Sequence, residues 1–168
     1  MTFHDFGEKY AQGTKAEDFL DALFSRDYRI EVADRGWQRR GIDRFFYPKS
    51  KPGSPPYRVE YKTDWQAART HNAFIETTSV DTTGKQGWAY GSEAEILVYH
   101  VVGDDLVYIL RMSTIRRLLP GWIAAYPTRP APNRDYNTLG VCVPLAVFER
   151  FAIQVINLAD VPDLPPLY

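Results

Sequence analysis

Two apolar runs separated by three turn-forming residues do most to constrain the fold of this chain. Residues 94–102 read Ala-Glu-Ile-Leu-Val-Tyr-His-Val-Val, Gly103-Asp104-Asp105 follows, and Leu106-Val107-Tyr108-Ile109-Leu110 closes the pair. β-Branched and aromatic residues suit a pleated chain, and the Gly-Asp-Asp break between them predicts a hairpin. Runs this apolar belong to the more buried half of the molecule.

Four shorter strands are predicted ahead of it. They cover residues 28–32, 41–47, 57–62 and 73–78, with a turn at Asp34-Arg35-Gly36. Residues 49–56 hold three prolines and one glycine and must be loop, as must residues 82–87. A helix precedes the strands. Thr14-Lys15-Ala16-Glu17 reads as a capping box, in which the threonine covers an early N–H and the glutamate reaches back. Ala16, Phe19, Leu20, Leu23 and Phe24 then recur at helical spacing, and Ser25-Arg26-Asp27 ends the run. A weaker helical piece over residues 6–11 breaks near Gly13. Beyond the hairpin, residues 113–119 predict a short helix stopped by Pro120-Gly121, and residues 127–137 a Pro- and Arg-rich loop. Residues 141–145 predict a strand and 146–151 a helix, and the proline-containing tail from 152 onward is irregular. No repeat or linker divides the chain. The expected architecture is a single α/β domain, residues 1–168 with its core at about 14–151, in which helices flank a mixed sheet.

Composition narrows the function classes. At 168 residues the chain is long enough to bury a core, and 45% hydrophobic with 14% aromatic residues argues against disorder. No run is long and apolar enough to span a bilayer, and residues 1–5 lack the plan of a signal peptide, so a soluble cytoplasmic protein is expected. The one cysteine, Cys142, excludes an internal disulfide and a cysteine-built zinc site; between Val141 and Val143 it reads as a buried, inert thiol. A net charge of −1 argues against a protein that coats long nucleic acid, which usually carries a strong basic excess because phosphate neutralisation supplies most non-specific affinity. An enzyme that touches few phosphates escapes that requirement.

The chemistry concentrates between Gly41 and Lys62. Gly41-Ile42-Asp43 opens one strand, and Tyr57-Arg58-Val59-Glu60-Tyr61-Lys62 is the next. Alternate side chains share a face of a strand, so Glu60 and Lys62 point the same way, roughly 6.6 Å apart along it. Asp43 meets them if the two runs pair. Two carboxylates and a lysine at one point make a magnesium site with a cation beside it, suited to phosphodiester hydrolysis.

Helix, strand, Gly-Ile-Asp, then a strand carrying Glu60-Tyr61-Lys62 resembles the core of the PD-(D/E)XK nucleases, the restriction-endonuclease-like superfamily. The helix-first layout is similar to its Holliday-junction resolvase-like members, and the later hairpin to small phage- or restriction-type ones. The resemblance implies a restriction-endonuclease-like mixed sheet and hydrolysis of DNA by a Mg²⁺-activated water, with Mn²⁺ able to substitute. It implies Asp43 and Glu60 as metal ligands, the Tyr61 carbonyl as a further one, Lys62 beside the attacking water, and Glu17 as a helper on the first helix. It also implies DNA as partner, no membrane, and a homodimer where two strands are cut.

Three patches are candidates for the nucleic acid: Arg35, Trp37, Arg39 and Arg40 before Asp43; Lys49 and Lys51 in the proline-rich loop; and Lys85 with Gln86 and Trp88 after the fourth strand. His71, past the site strand, is a further candidate, for a phosphate or for the attacking water. Each residue also has a plainer reading. Glu60 and Lys62 read equally as an exposed same-face pair worth under about 1 kcal/mol. Glu17 is explained by the capping box, Glu76 by a solvent-facing strand position, Asp64 by a turn, and the cationic loops and His71 by solvation. Two other functions fit the same residues: a non-catalytic nucleic-acid- or protein-binding module on the same fold, and an RNA-directed hydrolase.

Overall fold

The stripe Ala16, Phe19, Leu20, Leu23 and Phe24 forms the buried face of one long helix, with no member more than 7% exposed. The computed structural model describes the backbone of residues 3–167 and the side chains of residues 13–167; residues 1, 2 and 168 and the side chain of His4 lie outside it. The helix, α1 (Phe3–Phe24), runs unbroken through Gly13 and Thr14. The expected break and capping box are therefore interior turns. A glycine inside a helix costs about 1 kcal/mol relative to alanine, which the burial of two leucines and two phenylalanines outweighs.

α1 packs on a six-stranded sheet in the order β1 (Tyr28–Val32), β2 (Arg44–Pro48), β3 (Tyr57–Asp64), β6 (Ile96–Val101), β7 (Leu106–Arg111), β10 (Gln154–Asn157). All neighbours are antiparallel except β3 and β6, which run parallel with Glu60 opposite Leu97 and Lys62 opposite Tyr99. The sheet is mixed, open and flanked by helices, as expected. The predicted hairpin is β6–β7, with Val101 opposite Leu106 and the turn carried by Gly103 and Asp105 at φ 101° and 52°. The tail was expected to be irregular. Four of its residues instead form the edge strand β10 against β7.

A parallel pair needs a long crossover, and here residues 65–95 build a second layer rather than one helix. They hold α3 (Ala67–Thr70), β4 (Asn72–Val80), β5 (Lys85–Gln86) and α4 (Trp88–Gly91). β4 leaves the first sheet and enters a four-stranded antiparallel one, ordered β5-β4-β9-β8, with β8 (Thr128–Pro132) and β9 (Asn137–Pro144). β8 falls in the stretch expected to be loop. Its prolines, 130 and 132, are tolerated because the strand lies at a sheet edge.

Period-2 alternation divides the core in two. Phe46, Val59, Tyr61, Val98 and Val107 face α1. Leu97, Tyr99, Val101, Tyr108 and Leu110 face the other way, onto Ala73, Ile75, Val141 and Val143 of the second sheet and onto α5 (Met112–Ala125). α5 runs through Pro120, where a stop was expected. Leu119 and Trp122, on either side of that proline, are 0% and 5% exposed, and Phe148 of α6 (Leu145–Glu149) packs on Trp122. Tertiary packing holds the helix across the proline. Among the described residues no helix is long and apolar enough to cross a membrane.

Candidate active site

Asp43 stands one residue before β2, but both of its backbone groups are already in the sheet. Its N–H donates to Val59 O at 2.8 Å, and its carbonyl accepts from Ala33 N at 3.0 Å. Its side chain turns to β3, where Oδ2 accepts the Tyr61 N–H at 2.8 Å. Within a strand the N–H and C=O of one residue point to the same side. The Tyr61 carbonyl therefore faces the Asp43 side, past the point where β2 pairing ends at Arg44 opposite Val59.

Glu60 and Lys62 project from the opposite sheet face to Val59 and Tyr61. Lys62 Nζ lies 2.7 Å from Glu60 Oε1, with the side chains 34% and 3% exposed. Glu60 Oε2 is buried and has no hydrogen-bond partner among the described residues. Burial pushes the Glu60 carboxyl above its ordinary range, and the Lys62 ammonium, with the Ser92 side chain nearby, offsets only part of that. Burial opposes the Lys62 charge, but Glu60 and then Asp43 outweigh it and raise its pKa. Aspartate, glutamate and lysine thus share one electrostatic environment. A buried, unpaired carboxylate oxygen is expensive, and a hard cation is a fitting partner for it.

The loop carrying Asp43 is fixed from the far side of the crossover. The Ser92 hydroxyl donates to Gly41 O at 2.8 Å and accepts from Ala94 N at 3.1 Å. Gly41 has φ 74°, and a Cβ there would come within 2.7 Å of the Ser92 side chain. Arg40 Nε donates to Glu93 Oε1 at 2.9 Å, and a second Arg40 nitrogen pairs with the other oxygen of Glu93.

Glu17 belongs to a different cluster, on the α1 face. Its carboxylate meets Arg44 Nη2 at 3.0 Å, and Asp21 takes Arg44 Nε at 2.9 Å and the Tyr61 hydroxyl at 3.0 Å. Arg44 is only 4% exposed and also donates to the Asp43 carbonyl at 3.0 Å. Glu17 is thus tied to Arg44, on the far face of the sheet from Glu60. Burial raises its pKa, Arg44 lowers it, and Asp43 raises it further. Among the described residues no group of three or more His, Cys, Asp or Glu converges as a metal cluster. Asp43 is bonded to the Tyr61 N–H on β3, one residue from Glu60, and both carboxylates act on the charge of Lys62.

The other candidates scatter. Arg35 on α2 (Arg35–Gln38) and Arg39 just after it are exposed; this helical turn replaces the expected bend and is capped by Asp34. Trp37 is half-buried edge-on against Phe45, with the Arg40 guanidinium 4.2 Å above its ring. Lys49 donates to Ser25 O at 2.6 Å, at the end of β2 remote from Asp43. It and the exposed Lys51 lie beyond Pro48, the end of the strand roughly 17 Å from the aspartate. His71 is exposed at the C-terminus of α3, with φ 56°. Asp64 caps α3 through Gln66 N and Ala67 N, both at 2.8 Å. Cys142 is half-buried, and burial pushes its thiol up.

Glu76 is better placed than a solvent-facing reading of β4 suggests. Burial pushes its carboxyl up, and Lys62, then hydrogen bonds from the Trp88 backbone and the Ser79 side chain, and last Lys85 pull it back. Ser92 carries no sequence signal at all. Its role depends on a contact across 51 residues. Comparison with family models, curated proteins and solved structures finds no match for this chain.

Proposed function

We propose that this chain is a divalent-cation-dependent endonuclease of the PD-(D/E)XK type, hydrolysing DNA phosphodiester bonds. The observation that carries the reading is the buried Glu60 Oε2, left without a hydrogen-bond partner beside Lys62 on the strand whose Tyr61 N–H holds Asp43. The element order supports it: a helix, three antiparallel strands with Asp43 before the second and Glu60-Tyr61-Lys62 on the third, then a strand parallel to that third one.

Asp43, with Oδ2 committed to Tyr61 N–H, keeps Oδ1 for a cation. Glu60 Oε2 and the Tyr61 carbonyl complete the protein's share of a Mg²⁺ or Mn²⁺ site. Magnesium keeps several waters and is content with one or two carboxylates plus substrate phosphate. When bound, the ion supplies a polarised phosphoryl oxygen and a water of lowered pKa. The chain's own contribution is placement. The Tyr61 N–H orients Asp43, and the Glu60 and Asp43 carboxylates keep Lys62 charged against its burial, ready to meet the negative charge that develops on phosphorus.

The test is a panel of labelled single-stranded, duplex and branched DNA and RNA, with Mg²⁺, Mn²⁺ or EDTA. DNA cleavage abolished by EDTA and by Glu60→Gln is expected. Cleavage by Glu60→Gln at the parent's rate would overturn the site, and activity on RNA alone would overturn the substrate. Binding that ignores EDTA and is never followed by cleavage would favour the non-catalytic module.

A further inference from the structure

Arg44 joins the first helix to the residue that opens the site. It lies on the α1 face of β2, two residues before Phe46, and is buried. Its guanidinium is gripped from α1: Nε donates to Asp21 Oδ1 at 2.9 Å and to Oδ2 at 3.0 Å, and Nη2 donates to Glu17 Oε2 at 3.0 Å. The remaining nitrogen, Nη1, donates to the Asp43 carbonyl at 3.0 Å. A return path closes the network. Asp43 Oδ2 accepts the Tyr61 N–H at 2.8 Å, and the Tyr61 hydroxyl donates to Asp21 Oδ1 at 3.0 Å. The guanidinium carbon lies 5.3 Å from the centre of the Tyr61 ring. Asp21, Arg44, Asp43 and Tyr61 thus form a closed circuit that ties α1 to the start of β2 and to β3.

An ion pair that served to seat α1 on the sheet would need no contact with Asp43. Nor does the Asp43 carbonyl need Arg44 to be satisfied, since Ala33 N already donates to it at 3.0 Å. The donors of a guanidinium are fixed in one plane. With Nε and Nη2 held by two carboxylates of α1, the direction of Nη1 is set, and with it the plane of the peptide that follows Asp43. Groups that orient a metal ligand govern affinity for the ion without touching it. We infer that Arg44 is a positioning residue: gripped by Asp21 and Glu17, it holds the Asp43 main chain so that the aspartate is already in place when a divalent cation arrives. α1 thereby tunes the site from the opposite face of the sheet, and Glu17 contributes by anchoring Arg44 rather than as a ligand. The inference rests on the reading of Asp43 and Glu60 as the cation site.

The experiment is Mn²⁺ binding, followed by electron paramagnetic resonance, on the parent, Arg44→Lys, Asp21→Asn and Leu23→Ala, with circular dichroism showing that each is folded and a urea melt ranking their stabilities. Lysine keeps the buried charge but has a single nitrogen, which cannot span Asp21, Glu17 and the Asp43 carbonyl. Arg44→Lys should therefore bind Mn²⁺ about tenfold more weakly and alter the line shape of the bound ion. Asp21→Asn leaves the arginine in place with a weaker grip, and should act in the same direction by less; it carries the same comparison if Arg44→Lys does not fold. Leu23, also buried on α1, lies outside the circuit. Leu23→Ala should lower the urea midpoint through a cavity and leave Mn²⁺ affinity and line shape as in the parent. Parent-like binding by Arg44→Lys and Asp21→Asn would overturn the inference. So would an equal loss in Leu23→Ala, because affinity would then follow the general seating of α1. Either result spares the Asp43–Glu60 site. A parent that takes up no Mn²⁺ overturns that site and this inference together.

Discussion

Gly41 holds the backbone of the site in a conformation that L side chains rarely adopt. At φ 74° and with Ser92 atoms 2.7 Å from where a Cβ would stand, alanine is both strained and blocked. Gly41→Ala should cost about 2 kcal/mol or more in a urea melt. It should also weaken Mn²⁺ binding, since Asp43 is two residues away on the same loop. Glu60 behaves in the opposite sense. Its carboxyl is raised by burial, so ionising it costs the folded state stability as pH rises through its native pKa. Removing the charge relieves that cost, and the partly exposed Lys62 can turn to solvent. Glu60→Gln is therefore expected to melt no lower than the parent at neutral pH and yet to lose cleavage by about a hundredfold or more. A variant that lost activity only because it unfolded would speak against a site role for this residue.

Elements built from local periodicity were legible, and elements held by distant contacts were not. The stripe of α1, the strands from β1 to β4 and the β6–β7 hairpin follow from 3.6- and 2-residue patterns. The second sheet does not, because nothing in residues 73–78 says that β4 leaves one sheet for another. For the same reason Glu76 looked like an outward strand residue, and Ser92 gave no sign. Arg44 shows the limit most clearly: next to Asp43 it reads as a surface cation, yet it is 4% exposed between Asp21 and Glu17. Arg44→Met would leave both carboxylates unpaired at the α1–β2 contact. A loss of about 3 kcal/mol in chemical denaturation is expected, near the lower end for a broken buried pair because Glu17 is partly exposed. α5 offers the opposite case. Pro120 cannot donate to the Arg116 carbonyl one turn back, its side chain is exposed, and packing at Leu119 and Trp122 carries the helix past it. Pro120→Ala should thus stabilise the protein by about 1–3 kcal/mol, read as a rise in the urea midpoint.

Across the whole molecule, two sets of buried ionisable groups pull the pH dependence of stability in opposite directions. Burial raises the carboxyls of Glu17, Asp21, Glu60 and Glu76, so the folded state takes up their protons first and gains stability as pH falls through those raised values. His100 does the reverse. It is 0% exposed, stacked on Phe19 of α1 with ring centres 5.7 Å apart, and neither ring nitrogen has a partner among the described residues. Burial lowers its pKa from 6.5 to about 4, partly countered by Asp105. Between those values the unfolded chain binds the proton and the folded chain does not, so stability is lost as pH falls from about 6.5 toward 4. A gap of that size corresponds to roughly 3 kcal/mol when fully developed. Phenylalanine at position 100 keeps the stacked ring and removes the titration. Urea denaturation of the parent and His100→Phe at pH 7 and at pH 4.5 separates the two effects, because the carboxyls contribute equally to both proteins and cancel in the difference. The advantage of the variant should grow by most of that roughly 3 kcal/mol on going to pH 4.5. A difference that stays constant across this range would show that His100 accepts its proton inside the folded core, and α1 would then have to pack on a charged ring.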